Sequence, residues 1–264
     1  GGVTSSGAAV INIDSSAGFI RNSATSDGTA DIITAGGTIT LVANTGIADS
    51  DGSAGLDIDS STGAISLTND GTTAGTFVDY VSAQADNFSL TVVATTTSGV
   101  VTFDSLSTGT LTLAAVNTAA NNLTVTADGA VIATNVDTTS GTLTLATSSG
   151  TMVLSDVDST TGAMNIDATL AITVTDVDSQ SGDINIETSG AVDIAIAVAG
   201  IVTTAGAAGN VIVTADNANG TITLAAGVDK ITAANVDAEV TLSSGRTIAR
   251  AGRCGAERGR GRRR

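Results

Sequence analysis

Apolar and polar residues alternate one for one through short runs along most of this chain. Ile39 and Leu41, Ile65 and Leu67, Leu111 and Leu113, Leu123 and Val125, Leu143 and Leu145, Ile184 and Ile186, and Ile222 and Leu224 each flank one small polar residue. Period two with β-branched partners marks a half-buried strand, and no segment shows the 3.6-residue period of an amphipathic helix. Between the runs lie Ser98-Gly99, Asp128-Gly129, Ser140-Gly141, Ser149-Gly150, Ser181-Gly182 and Ser189-Gly190. Glycine there is expected to supply the positive φ of a tight turn.

From Asn135 to Gly190 the alternation becomes a repeat. Asn135-Val136-Asp137, Asp156-Val157-Asp158 and Asp176-Val177-Asp178 recur in step with Gly141, Gly162 and Gly182. A short fixed period made of strand and turn chemistry alone predicts a stacked solenoid, each coil burying its apolar side against its neighbours. Aligned by that step, Leu143, Met164 and Ile184 form one inward column and Leu145, Ile166 and Ile186 the next. The second strand of each coil is expected to contribute Met152, Ile172 and Val192, then Leu154, Val174 and Ile194. Coils of about 20 residues would give roughly a dozen coils and a rod of about 55–60 Å at the spacing of adjacent strands. The expectation is one all-β β-solenoid domain over residues 1–245, with outgrowths at 70–88, holding Phe77, Tyr80 and Phe88, and at Gly200 to Gly209.

Composition narrows the picture. The 264 residues are 42% apolar but only 2% aromatic, with no Trp, so the core must be slim. Thirty-one glycines and no proline suit a chain that turns often and needs every backbone N–H for its ladders. The body through Gly245 holds Arg21 and Lys230 against 25 acids, a net −23, while the last nineteen residues hold eight arginines and Glu257, a net +7. So acidic a body repels nucleic acid and anionic membranes. Residues 246–264 lack apolar alternation and are expected to be a disordered basic tail unrelated to the body. Cys254, the one cysteine, lies in that tail, so disulfides and Cys/His zinc sites in the body are excluded. No run of eighteen apolar residues occurs, which predicts no membrane insertion. An opening Gly1-Gly2-Val3 that already looks like repeat reads as a portion of something longer.

The sharpest candidate chemistry is the Asp-Val-Asp ladder. With the valines inward, Asp137, Asp158 and Asp178 should stack about one strand spacing apart, while Asp156 and Asp176 stack on Asn135. Two carboxylates about 5 Å apart repel by about 0.8 kcal/mol in a water-like dielectric. A divalent cation such as Ca²⁺ would reverse that sign, making these five acids candidate metal ligands; the bland reading is solvated turn residues that block sideways sheet growth. The same weighing applies to Asp57-Ile58-Asp59, with Gly63 at the matching offset. Three other classes are open: a polysaccharide-acting β-helix enzyme, an ice-binding solenoid using Thr-x-Thr faces, and a filament subunit stacking end to end. Without His and with almost no Lys, Arg or aromatic residue in the body, an enzyme is not expected. Thr142 and Thr144 would stack on Asn122 and Thr124 below and on Ala163 and Asn165 above, a mixed row unlike an ice-binding face.

Ser140-Gly141-Thr142-Leu143-Thr144-Leu145 and Ser181-Gly182-Asp183-Ile184-Asn185-Ile186, with the intervening Asp-Val-Asp turns, resemble the passenger domains of bacterial surface proteins of the filamentous haemagglutinin and autotransporter kind. The resemblance covers most of residues 1–245. It implies a right-handed parallel β-helix, export to the cell surface, and a role as adhesin, stalk or matrix element. A host or cell-surface ligand is the partner an adhesin would need, and residues 70–88 are the candidate place for it.

Overall fold

The computed structural model describes residues 2–22, 29–48, 55–61, 63–71, 75–94, 99–190, 192–203, 209–226, 231–233 and 239–250. Among them every regular element is a strand, and the strands stack in parallel as a β-solenoid. One sheet runs through Val3–Ser5, Ile32–Thr34, Leu56–Ser60, Thr76–Tyr80, Val100–Ser105, Asn122–Ala127, Leu143–Thr147, Met164–Ala168, Ile184–Thr188, Val211–Ala215 and Val240–Ser244. The second runs through Ile11–Ser15, Ile39–Ala43, Ala64–Asn69, Phe88–Ala94, Thr110–Asn117, Ala130–Ala133, Met152–Leu154, Ile172–Ser179, Ile194–Thr203, Thr221–Leu224 and Thr247–Arg250. Successive strands of each sheet are separated in sequence by a strand of the other, so the chain winds around a shared interior. A shorter third face includes Val136–Thr138 and Val157–Ser159, which pair with each other and with the ends of Thr110–Asn117 and Ile172–Ser179.

The alternation does what period two requires. Leu143, Met164 and Ile184 pair in register, as do Leu145, Ile166 and Ile186, and all six are at most 1% exposed. Thr144 stacks between Thr124 and Asn165 on the wet side, the mixed row expected. A slip of one residue would turn each of these columns to solvent, so register is held by burial. The second-sheet columns differ from expectation by two residues: Met152 and Ile172 continue to Ile194, and Leu154 and Val174 to Ile196. A turn closed by Val192 N–H donating to the Gly190 carbonyl adds those residues and leaves Val192 only half-buried.

The twenty-residue step belongs to the middle of the rod. Phe103, Val125, Leu145, Ile166 and Ile186 are register partners 20 to 22 residues apart. Toward the end the step widens to 27 and 29 for Ile186, Val213 and Leu242, and at the start Val3, Ile32 and Ile58 are spaced by 29 and 26. The mean is roughly 24, so the chain builds fewer coils than a uniform twenty would give.

Close approach, not positive φ, explains the repeat glycines. Gly36 and Gly200 have left-handed φ (99° and 88°), whereas Gly129, Gly141, Gly150, Gly182 and Gly190 do not. A Cβ placed on Gly162 would lie 1.8 Å from the Gly141 carbonyl oxygen of the coil beneath. The same corners carry a hydroxyl bracket: Thr138 Oγ1 donates to the Gly141 carbonyl at 2.9 Å, Ser159 Oγ to that of Gly162 at 2.8 Å, and Gly182 N–H donates to Ser179 Oγ at 2.7 Å.

Residues 70–88 are less of an outgrowth than their sequence suggests. Thr76–Tyr80 is a regular strand of the first sheet, and Tyr80 and Phe88 are buried with rings stacked at 4.1 Å. Tyr80 Oη donates to the Ser60 carbonyl at 2.7 Å and lies 3.1 Å from Asp86 Oδ2. Tyr80 and Phe88 thus belong to the core, and of the three rings only Phe77 faces outward, half-buried. Residues 72–74 of that segment, and 204–208 of the loop expected at Gly200 to Gly209, lie outside the described residues; Gly200–Thr203 itself is strand. Beyond the boundary placed at residue 245, Thr247–Arg250 pairs with Thr221–Leu224, and residues 251–264 lie outside the described residues.

Candidate functional site: an acidic ladder on the short face

The third face places the five acids of the repeat together. Val136, Val157 and Val177 pair in register and are fully buried, which obliges their neighbours to face out. Asp137, Asp158 and Asp178 are consecutive register partners, with Asn117 one rung below. Asn135 Nδ2 sits 3.5 Å from Asp156 Oδ2, and Val136 N–H donates to the Asp156 carbonyl, so the outer Asp/Asn position stacks as well. Asp137, Asp158 and Asp178 line a shallow concavity of about 390 Å³ walled by Thr138, Thr139, Ser159, Thr160, Ser179 and Gln180.

Burial and mutual repulsion act in one direction here. The Asp158 carboxyl is pushed up from 3.8 to about 6, first by burial and then by Asp156, Asp178, Asp137 and Asp176. Burial followed by Asp156 raises Asp137 and Asp176 too. Geometrically the ladder offers carboxylates one rung apart; among the described residues no three Asp, Glu, Cys or His side chains converge as a metal cage would require. Asp57-Ile58-Asp59 lies elsewhere, on the first sheet, where Asp57 is buried and pairs in register with Asp79, and Asp79 with Asp104. Burial, then Asp86, raises the Asp59 carboxyl.

Sequence reasoning found the ladder but missed the hydroxyl bracket behind it, although its signal was present. Thr138, Ser159 and Ser179, each three residues before a repeat glycine, pair in register and are at most 5% exposed. They anchor the turn that carries the acids, and the spelling Ser/Thr-x-x-Gly recurs at Thr34, Ser60 and Thr147.

Because the folded state raises its pKa, Asp158 binds a proton more tightly folded than unfolded, so its ionisation opposes folding. Its penalty is absent below about 3.8 and grows as pH rises through about 6. Unscreened, the shift would cost about 3 kcal/mol at neutral pH; the carboxyl is partly exposed and solvent-screened, and about 1 kcal/mol is the amount expected. Asp158→Asn should therefore melt higher than the parent at pH 7, by about 3 °C for a chain of this size. The gap should close by pH 4. Thermal melts of both proteins across that range check it, and parallel pH profiles would dissociate the ladder from stability.

The fold and this ladder define a parallel β-solenoid with an acidic rib. No protein-family model, curated protein or solved structure matches the chain.

Proposed function

We propose that this chain is a structural or adhesive rod of an extracellular surface, of the filamentous haemagglutinin and autotransporter passenger kind, and that it has no catalytic activity. The observation that carries the reading is the continuity of its columns. Ile20, Ile47, Thr76, Val101, Leu123, Leu143, Met164, Ile184, Val211 and Val240 are successive register partners. Each coil is hydrogen-bonded and packed to the coils on either side, which makes a stiff shaft whose length follows the number of coils. The body's net −23 covers that shaft with charge that keeps neighbouring rods apart. The burial of Tyr80 and Phe88 favours the structural half of the reading, since of the three rings in residues 70–88 only Phe77 faces outward, half-buried.

Beads coated with the chain, tested against extracellular-matrix proteins and polysaccharides with reducing-end release followed in parallel, separate the readings. A rod-shaped scattering profile without saturable binding is the structural outcome. Saturable binding is the adhesive one, and released sugar ends would overturn both. Antibody that labels source cells only after permeabilisation would overturn the location.

A further inference from the structure

The acids that hold rods apart are not spread evenly around the shaft. On the first sheet Asp57, Asp79 and Asp104 are register partners and Asp167 pairs with Glu187, and the short face has its own ladder. The second sheet differs. From Ile39–Ala43 to Thr221–Leu224 its strands contain no charged residue except Asp176 and Asp178, where Ile172–Ser179 runs on into the short face. Its outward column is Ala64, Ser89, Thr112, Ile132, Val153 and Thr173, successive register partners that all reach solvent. The column also has relief. Around Ala64, Ser89 and Thr112 the small Gly36 and Gly63 leave a shallow hollow of about 620 Å³, and the branched Ile132 and Val153 follow on the next two rungs. Asp14 and Asp193 bound the strip: Asp14 is the register partner of Val42 from the coil before it, and Asp193 accepts the Thr221 N–H in the coils beyond.

We propose that two copies pack face to face on this strip, running in opposite directions about the Thr112 rung, with Ile132 and Val153 of each copy over Ser89 and Ala64 of the other. The inference rests on the rod reading and adds how rods pair. A body of net −23 repels its own kind wherever acids face acids, so the uncharged sheet is the face on which two copies approach at least cost. The relief is self-complementary about that rung, as a two-fold contact requires: one rung from Thr112, Ile132 meets Ser89, and two rungs away Val153 meets Ala64, in both directions. Sheets in a β-sandwich pack face to face in the same way, about 10 Å apart. The seven strands from Ile39–Ala43 to Ile172–Ser179 make a strip of about 34 Å by 15 Å, roughly 1,000 Å² over both copies, enough for a specific but weak pair.

Sedimentation equilibrium of the full chain tests this. A monomer–dimer equilibrium in the micromolar range is expected, with no growth past two copies, and raising the salt should tighten it several-fold by screening the repulsion between the bodies. Ile132→Glu and Val153→Glu each put a charge on the strip and should weaken the pair about tenfold or more. Thr144→Glu, on the outer face of the first sheet, should leave it as it was. All three side chains face outward between buried neighbours, and circular dichroism checks that the coil survives; if one strip variant loses its β signal, the other carries the test. With Cys254→Ser in the background, Thr112→Cys should link to its counterpart through a short bis-maleimide, and Thr173→Cys, three rungs from the axis, should not. A monomer at every concentration, a dimer indifferent to the strip variants or broken by Thr144→Glu, or a Thr173→Cys link as fast as that of Thr112→Cys would overturn the proposal. Rod-shaped scattering from a monomer would leave the rod reading standing.

Discussion

Gly162→Ala is expected to destabilise the protein by about 3 kcal/mol, the upper part of the range for forcing atoms into a packed site. The new methyl would meet the Gly141 carbonyl oxygen at 1.8 Å and Ser159 Oγ at 3.2 Å. A flexible side chain could swing aside, but the obstructing atom is backbone and is held from two sides. The Gly141 carbonyl accepts the Thr138 hydroxyl, and the Gly141 α-carbon itself has the Asn121 carbonyl 1.8 Å from its own Cβ position. Relief at one corner would have to move the corner beneath. The column continues upward, with Gly182 facing the Gly162 carbonyl at 2.0 Å, so the strain spreads along the rod. A fall in melting temperature of about 10 °C follows for a chain of this size. Gly7→Ala is the control: nothing lies within 4 Å of its added methyl, and a surface change of that kind is worth at most about 0.5 kcal/mol. If both variants melted like the parent, the glycine column would be an accident of composition.

That column also shows what the sequence could and could not disclose. Glycine at a constant offset from Asp-Val-Asp marks the corner correctly, yet the reason differs from the one turn chemistry suggests. Left-handed φ is a property of one residue and can be guessed from a dipeptide, whereas steric contact with the next coil exists only once coils are stacked. The inward columns were legible where the step was constant, from Leu143 to Ile186, because period two and a fixed repeat both constrain them. They became illegible at Gly190, where two added residues shift Ile194 and Ile196 into the places expected for Val192 and Ile194. Phe77, Tyr80 and Phe88 misled for a different reason. Bulky rings in a chain poor in aromatics suggest an insertion, but Tyr80, Phe88 and Phe103 pack on one another inside the coil. Asp137, Asp158 and Asp178 stack in the register that spacing alone predicts; the upward shifts of Asp137, Asp158 and Asp176 come first from burial and then from neighbouring acids, which only the stacked coils supply.

Phe103→Ala should cost the most, about 3–5 kcal/mol, as deleting a fully buried ring does when the site cannot collapse. Phe103 has no exposed surface, and its ring lies 6.0 Å from that of Phe88 in a tilted contact across the interior. Along its column the partners are Val78 below and Val125 above, too short to fill the space left. Those partners also sit on strands fixed by ladder hydrogen bonds, so inward collapse would break register on both sides. Since each coil of a solenoid is stabilised mainly by its neighbours, a void here should uncouple the coils before residue 100 from the regular ones after it. Amide exchange is therefore expected to accelerate over Thr76–Tyr80 and Val100–Ser105 far more than over Met164–Ala168 and Ile184–Thr188, and the melt should separate into two steps. Phe77→Ala, on the half-buried outer face of the neighbouring strand, should cost only about 1 kcal/mol and leave one transition. A single transition lowered equally at every amide in Phe103→Ala would show that the rod unfolds as one cooperative unit, and that coupling between coils outweighs the packing inside any one of them.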